Sequence, residues 1–317
     1  MKKNIAIIMG GYSSEYAISI KSGNVVYKYL DRDKYNPYRI VITRERWFYM
    51  DDNNQEYTVE KADFSLIVDS NKITFDCVFN AIHGTPGEDG LMQAYFELLG
   101  IPHTSCNHYE AALTFNKRDV LSTLKPYGVP CAISYFLNKG QDVDADAIVE
   151  KVGLPCFVKA NRAGSSYGVS KVYQKEELDQ AIENAFKEDT QIIIESFLDG
   201  TEVSVGVITY NNKVTVLPAT EIISENDFFD YEAKYLGKSK EITPARISEK
   251  QESNVRELAE FIYKTLGLKG YTRSEFIFIG DVPHLLEINT TPGLTEESLL
   301  PQQAKTAGIS LEDLFDS

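Results

Sequence analysis

Four polar side chains late in the chain, Arg273, Glu275, Glu287 and Asn289, have the types and spacing of a site for phosphate chemistry. Arg273–Asn289 reads as a β-hairpin turning around Gly280–Val282. A register that sets Glu275 opposite Glu287 also sets Arg273 opposite Asn289. Side chains alternate along a strand, so all four then project from one face. Two carboxylates and an amide oxygen suit Mg²⁺, a hard ion that takes few protein ligands and shares its shell with water and phosphate. A guanidinium beside them can stabilise negative charge on a transferred group. An exposed strand face carrying cross-strand charges would look similar locally. Here Phe276, Phe278, Leu286 and Ile288 are expected on the opposite face as core, which leaves the polar set facing solvent or a site. A one-residue slip in register would break the set.

A second cluster is Lys159 with the loop Asn161–Gly168, whose glycines and serines free backbone N–H groups to meet an anion while Lys159 supplies a point charge. An ordinary hairpin turn has the same composition. Gly164–Gly168 also fits a GxSxG nucleophile pattern with Ser166 at its centre, but that motif needs a strand-to-helix elbow, and Val169–Tyr173 reads as a strand. Gly237-Lys238-Ser239 is no Walker A loop, because Glu232 stands where its first glycine belongs. Three shorter pieces carry less alone. Gly10-Gly11 with Ser13, Ser14 and Glu15 puts a carboxylate near a helix start, where Ser13 or Ser14 could serve as the cap. His83-Gly84 precedes Gly87–Gly90 where a strand hands over to a helix. Lys234-Tyr235 lies in a polar, aperiodic stretch, Ser224–Thr243, of the length of an active-site lid.

These residues need elements to hold them. Strands at Ile5–Met9, Arg39–Thr43 and Phe75–Ile82 alternate with helices after Ser13 and over Gly90–Leu99, predicting a parallel α/β unit over residues 1–100. A central α+β unit, 101–190, is expected to hold a helix over Tyr109–Leu124, an extended run Pro130–Leu137, a helix over Asp144–Val152, strands at Leu154–Lys159 and Val169–Tyr173, and an amphipathic helix marked by Leu178, Ala181, Ile182, Ala185 and Phe186. The last unit, 191–317, opens on Ile192–Ser196. Its hairpin turns at Asn211-Asn212, and its helix face of Val255, Leu258, Ala259, Ile262 and Leu266 is closed by Gly267. The chain stops where a helix over Leu311–Phe315 has barely begun, as a trimmed end would.

Hydrophobic residues at 43% and charged residues at 25% are ordinary globular composition and exclude a disordered or collagenous chain. A net charge of −15 argues against a polyanion such as nucleic acid as partner. Cys77, Cys106, Cys131 and Cys156 form no CxxC pair and read as free thiols of a reducing compartment, with no signal-cleavage pattern and no membrane-length apolar run. A soluble, cytoplasmic protein is the expectation.

Taken together, GGYSSEYAISIKSG, HGTPGEDG, FNKRDV, VKANRAGSSYGVSKV, YEAKY and LEINTTPGLTEESLLP resemble, in order and spacing, the D-alanine–D-alanine ligases of the ATP-grasp superfamily across nearly the whole chain. The resemblance implies three domains with ATP held between the central and C-terminal units, two Mg²⁺ ions (Mn²⁺ as an alternative), D-alanine as substrate, and an acyl-phosphate attacked by a second D-alanine's amine. It implies Lys117, Lys159 and Lys234 for phosphate, Glu195 and Glu202 for the adenine and ribose side, and Glu287 and Asn289 for metal. It implies Arg273 and the Gly293 N–H at the tetrahedral intermediate, and Glu15, linked through Ser165 and Tyr235 to the lid, at the first ammonium. Ser298 and Leu299 match the second substrate's pocket, and His83 a substrate-side histidine. The resemblance also allows a homodimer. Where Asp usually ligates metal this chain has Glu275, whose extra methylene the site must absorb, and in Asn161-Arg162-Ala163 an acidic residue is missing. Other readings are a D-alanine–D-lactate ligase, a GxSxG hydrolase and a silent nucleotide-binding protein. Tyr235, where lactate-using relatives tend to carry Phe, favours D-alanine.

Tyr235→Phe is therefore expected to shift nucleophile choice toward D-lactate more than it lowers turnover, as product analysis with D-alanine and D-lactate in competition would show.

Overall fold

In the computed structural model, residues 2–164, 168–224 and 239–317 are described. The N-terminal sheet has the order β4-β3-β2-β1-β7, with β1 (Lys3–Gly10), β2 (Tyr35–Ile42), β3 (Trp47–Met50), β4 (Glu56–Thr58) and β7 (Cys77–Asn80). Strands β2, β1 and β7 are parallel, as expected, while β3 and β4 add an antiparallel edge that the sequence did not announce. A separate hairpin joins β5 (Leu66–Val68) to β6 (Asn71–Ile73). The alternation of β1 sends Ile5, Ile7 and Met9 to one core and Ala6 and Ile8 to another. Helix α1 (Tyr16–Tyr29) packs on the first face, and α2 (Leu91–Leu99), through Met92 and Phe96, on the second.

The helix expected over Tyr109–Leu124 is two: α3 (His108–Phe115) and α4 (Lys117–Leu124). Asn116 between them is extended, and its side chain accepts the Asp119 N–H to cap α4. Val120, Leu121 and Leu124 of α4 pack against the C-terminal sheet, not into the central layer where the sequence placed them. The central sheet has the order β10-β9-β11-β8, from β8 (Ser134–Asn138), β9 (Cys156–Ala160), β10 (Ser170–Val172) and β11 (Gln191–Ser196), covered by α5 (Ala145–Val152) and α6 (Leu178–Glu188). Strand β11, expected to open the third unit, thus hydrogen-bonds inside the second, because β8 and β9 pair along both of its edges.

The C-terminal sheet runs β15-β14-β12-β16-β17, with β13 also on β12. Its strands are β12 (Thr201–Tyr210), β13 (Lys213–Val216), β14 (Thr220–Ser224), β15 (Ser239–Ile242), β16 (Tyr271–Ile279) and β17 (Val282–Asn289). Asn211 and Asn212 both have positive φ, as the two-residue turn from β12 to β13 requires. The ends of the expected lid are regular: β15 pairs with β14, and only 225–238 lie outside the described residues. Helix Glu249–Thr265, begun by a capping box from Ser248 and Gln251, buries Val255, Ala259 and Ile262 on this sheet. The last helices, Leu299–Thr306 and Leu311–Asp316, cross back so that Leu294, Leu300, Ala304, Leu314 and Phe315 share the first N-terminal core with Ile7 and Met9.

The register of the final hairpin places Arg273 opposite Asn289 and Glu275 opposite Glu287, as the sequence predicts. Beyond Glu275 a bulge leaves Leu286 as the extra residue and pairs Phe276 with Leu285. Leu285, not Leu286, therefore joins Phe276, Phe278 and Ile288 in the core. Leu285→Ala is expected to lower stability by about 2–5 kcal/mol, and Leu286→Ala by clearly less, in urea unfolding followed by circular dichroism.

Candidate active site

The site grows from the two strands of that hairpin. Across three strands, Ser204, Glu275 and Glu287 form one row, and Gly206, Arg273 and Asn289 the next. Residues directly opposite share a face, so both rows point away from the core of Phe276 and Ile288. Glu275 Oε1 accepts from Arg273 Nε at 2.7 Å and from Ser204 Oγ at 3.3 Å. The longer side chain at 275 thus folds one oxygen back onto the guanidinium. Asn289 Oδ1 accepts the Thr291 N–H at 2.9 Å, which ties the strand end to the loop beyond it.

Lysines enter from neighbouring elements. Lys117, the first residue of α4, places Nζ 3.0 Å from Glu287 Oε2 and donates to the Ala163 carbonyl at 2.8 Å. Asn161, fully buried, locks this helix start to the end of β9: its Oδ1 accepts the Arg118 N–H and its Nδ2 donates to Asn116. On β9, Lys159 Nζ lies 2.9 Å from Glu195 Oε2. Burial alone would depress its ammonium, but Glu195, with Glu287 and Glu202 nearby, outweighs this and raises the Lys159 pKa. Glu195 is 2% exposed and its Oε1 is buried with no hydrogen-bond partner in the structure, an acceptor aimed at no protein donor.

The N-terminal unit supplies the other wall. Gly10 and Gly11 both have φ +98, and a Cβ on Gly10 would stand 2.8 Å from the Ile42 carbonyl, so only glycine lets β1 turn so tightly toward Glu15. Glu15 is itself the N-cap residue of α1, and neither serine caps the helix as expected. Ser13 Oγ instead accepts the Glu15 N–H and donates to the His83 carbonyl. The carboxylate of Glu15 lies against the backbone of the glycine loop: a Cβ on Gly164 would sit 2.8 Å from Oε2. His83, 5% exposed, has both ring nitrogens engaged, with Ser22 Oγ at 2.9 Å and the Thr291 carbonyl at 2.7 Å. Burial holds its pKa down, against the pull of Glu15.

One cavity of about 330 Å³ is lined by Glu15, His83, Lys117, Arg273, Glu287, Asn289, Gly293, Ser298 and Leu299. Nine of the residues singled out in the sequence thus meet, and Glu275 touches the set through Arg273. Lys159, Glu195 and Glu202 form an adjoining charged group. Ser165, Lys234 and Tyr235 lie outside the described residues, as does Ser166. The strand β10, not a helix, follows the glycine loop, so the hydrolase elbow is absent among the described residues. Among the described residues no three His, Cys, Asp or Glu side chains gather for a metal. The donor set is two carboxylates and one amide, all oxygen, which fits a hard ion completing its shell with water and phosphate.

Comparisons with known proteins show the family. A family model described as "D-ala D-ala ligase N-terminus" matches residues 4–106, and one described as "D-ala D-ala ligase C-terminus" matches 124–317. The chain belongs to the D-alanine–D-alanine ligase family. It is 67% identical to the D-alanine–D-alanine ligase of Flavobacterium johnsoniae over 99% of this chain and 97% of that one. Against the ligase of Christiangramia forsetii it is 62% identical, over 100% and 97%. Among solved structures, a D-Ala:D-Ser ligase from Enterococcus faecalis superposes with TM-score 0.89 at 33% identity, covering 100% of this chain and 98% of that chain. The ATP complex of the D-alanine–D-alanine ligase from Bacillus anthracis gives 0.81 at 29%, covering 99% and 95%. No described helix is long and apolar enough to cross a membrane.

Two groups in the cavity escaped the sequence-based site. Glu241, from β15, lines the cavity with Arg273 while its side chain stays exposed at the rim; partial loss of solvent, against the pull of Arg273, raises its pKa. Glu88, within the quoted HGTPGEDG segment, is 7% exposed; burial first, then the nearby Glu15 charge, pushes its pKa up to about 8, although the Gly84 N–H it accepts works against this. Its partner charges come from distant segments, so no local signal marks it. The folded value exceeds the ordinary 4.5, so between those values the native state holds the extra proton. This group's contribution to stability is complete at the acid end and is lost as pH rises through about 8. Glu88→Gln is expected to flatten the fall in thermal midpoint between pH 5 and 8, as scanning calorimetry would show.

Proposed function

We propose that the chain joins two D-alanines, coupled to cleavage of ATP to ADP and phosphate, in the cytoplasm, and that the dipeptide serves peptidoglycan. The observation that carries this is one cavity that Glu15, a carboxylate for an ammonium, shares with Arg273 and Gly293, donors for a carboxylate, beside the pair Lys117–Glu287. The first D-alanine lies with its ammonium toward Glu15 and its carboxylate toward Arg273. Lys117 and Lys159 neutralise the phosphates and so lower the barrier for a carboxylate oxygen to attack a polyanion. Glu195, with its unpartnered buried oxygen, accepts from the nucleobase amino group, and Glu202 lies on the ribose side. Glu287, Asn289 and the free edge of Glu275 are the residues that would hold two Mg²⁺. Those ions supply charge neutralisation and alignment of the transferred phosphoryl group.

Phosphorylation turns the first carboxylate into an acyl-phosphate, whose phosphate can leave. The second D-alanine, its carboxylate held at Ser298 and the start of the helix Leu299–Thr306, brings its amine to the acyl carbon. Arg273 and the Gly293 N–H then face the oxygen on which negative charge develops. Glu275 keeps the guanidinium in place.

Phosphate release from Mg-ATP is the test, with D-alanine, L-alanine, D-lactate and D-serine compared. D-alanine alone should support rapid release and dipeptide formation; equal release with L-alanine would sink the proposal. Glu287→Gln should stay folded yet lose about a hundredfold or more of the rate, in line with the several kcal/mol a metal ion supplies to such a transition state.

A further inference from the structure

We propose that Ser22 is a positioning residue for the ligation step: its hydroxyl fixes the tautomer of His83 and clamps both ends of the loop that presents the Gly293 N–H. The proposal rests on the reading of Gly293 given above, and it begins from hydrogen-bond directions. A carbonyl oxygen can only accept, so the 2.7 Å contact between His83 Nδ1 and the Thr291 carbonyl places the ring proton on Nδ1. The ring is buried and neutral, so Nε2 carries a bare lone pair. The group 2.9 Å from it is Ser22 Oγ, which must donate. The same oxygen is then free to accept the Leu294 N–H at 3.2 Å. Every direction in the chain Leu294 N–H to Ser22 to His83, and His83 to Thr291, is therefore determined.

Its endpoints matter. Thr291 and Leu294 flank Pro292-Gly293, so one hydroxyl holds both sides of the residue whose N–H faces the developing oxyanion. Ser22 is fully buried on α1, the helix that begins at Glu15. Seven residue steps along the helix separate the two, about 10 Å along a rigid rod. The end of α1 adds a second hold on the same segment, because Lys28 Nζ and Tyr29 Oη both donate to Glu296 at 2.9 Å. Helix α1 thus sets the distance between the carboxylate that receives the first ammonium and the N–H that receives the oxyanion. His83, with both nitrogens committed, serves this spacing and offers no ring nitrogen to substrate.

The test combines kinetics with the histidine ¹⁵N spectrum, in which His83→Gln identifies the signal. Ser22→Ala should bind ATP with unchanged Kd and keep its KM for ATP. Its kcat should fall by about ten- to a hundredfold, as expected when buried hydrogen-bonding groups are left unsatisfied where position matters. Ser22→Thr, which keeps the hydroxyl, should recover most of that loss. In the wild type His83 should be protonated at Nδ1 alone, and in Ser22→Ala the tautomers should mix. A kcat within about twofold of wild type in the alanine variant would overturn the proposal, as would an Nε2–H tautomer at His83 in the wild type, a measurement that does not depend on Ser22→Ala folding. If the wild type releases no phosphate with D-alanine, the ligase reading fails, while the tautomer measurement still decides whether Ser22 directs His83.

Discussion

Two carboxylates facing each other across adjacent strands repel, and the site is arranged around that repulsion. Glu275 and Glu287 stand directly opposite on β16 and β17, on the face turned away from the apolar core. Neither strand neutralises both. Arg273, two residues along, takes Glu275, and Lys117, arriving from α4, takes Glu287. The position of α4 is in turn fixed by burying Val120, Leu121 and Leu124 against the sheet that carries the carboxylates. Packing on one face of the sheet thus delivers the cation needed on the other. The same balance holds at Lys159, where several carboxylates keep a largely buried ammonium charged.

The three units are not stacked as separate bodies. Leu294, Leu300, Leu314 and Phe315, which follow the C-terminal sheet in the chain, join α1 in completing the core beneath β1 around Ile7 and Met9. Surface contacts follow the same path: Lys34 and Tyr35 both hold Asp316, close to the chain end. Because of this return, the loop that carries Gly293 is built against α1 and His83 of the N-terminal unit. A substrate spanning Glu15 and Gly293 therefore meets parts of one continuous core.

Much of this was legible locally. The hairpin's polar face, the Asn211-Asn212 turn, the amphipathic helix Leu178–Glu188 and the free cysteines follow from alternation, turn chemistry and periodicity over short windows. The errors share a cause. Asn116 sits within an apolar period that runs across it, and its preference for capping wins over that period. Strand β11 has the pattern of a strand in any sheet, and nothing in Gln191–Ser196 says which edges it will meet. The bulge that exchanges Leu285 for Leu286 is likewise silent, since both are leucine. Glu88 is a carboxylate in a glycine-rich turn until burial and Glu15 make it hold its proton.

The sequence by itself determined the kinds of groups present and their faces, because side-chain alternation and helical spacing act over a few residues and survive in any context. It placed Arg273, Glu275, Glu287 and Asn289 together before any fold was known. Tertiary structure alone decided which charge neutralises which. It brought Lys117 to Glu287 across 170 residues of chain (287 − 117), folded Glu275 onto Arg273, and closed His83 between Ser22 and Thr291. Such pairings depend on burial and on the meeting of distant segments, and neither is encoded in the neighbours of any one residue.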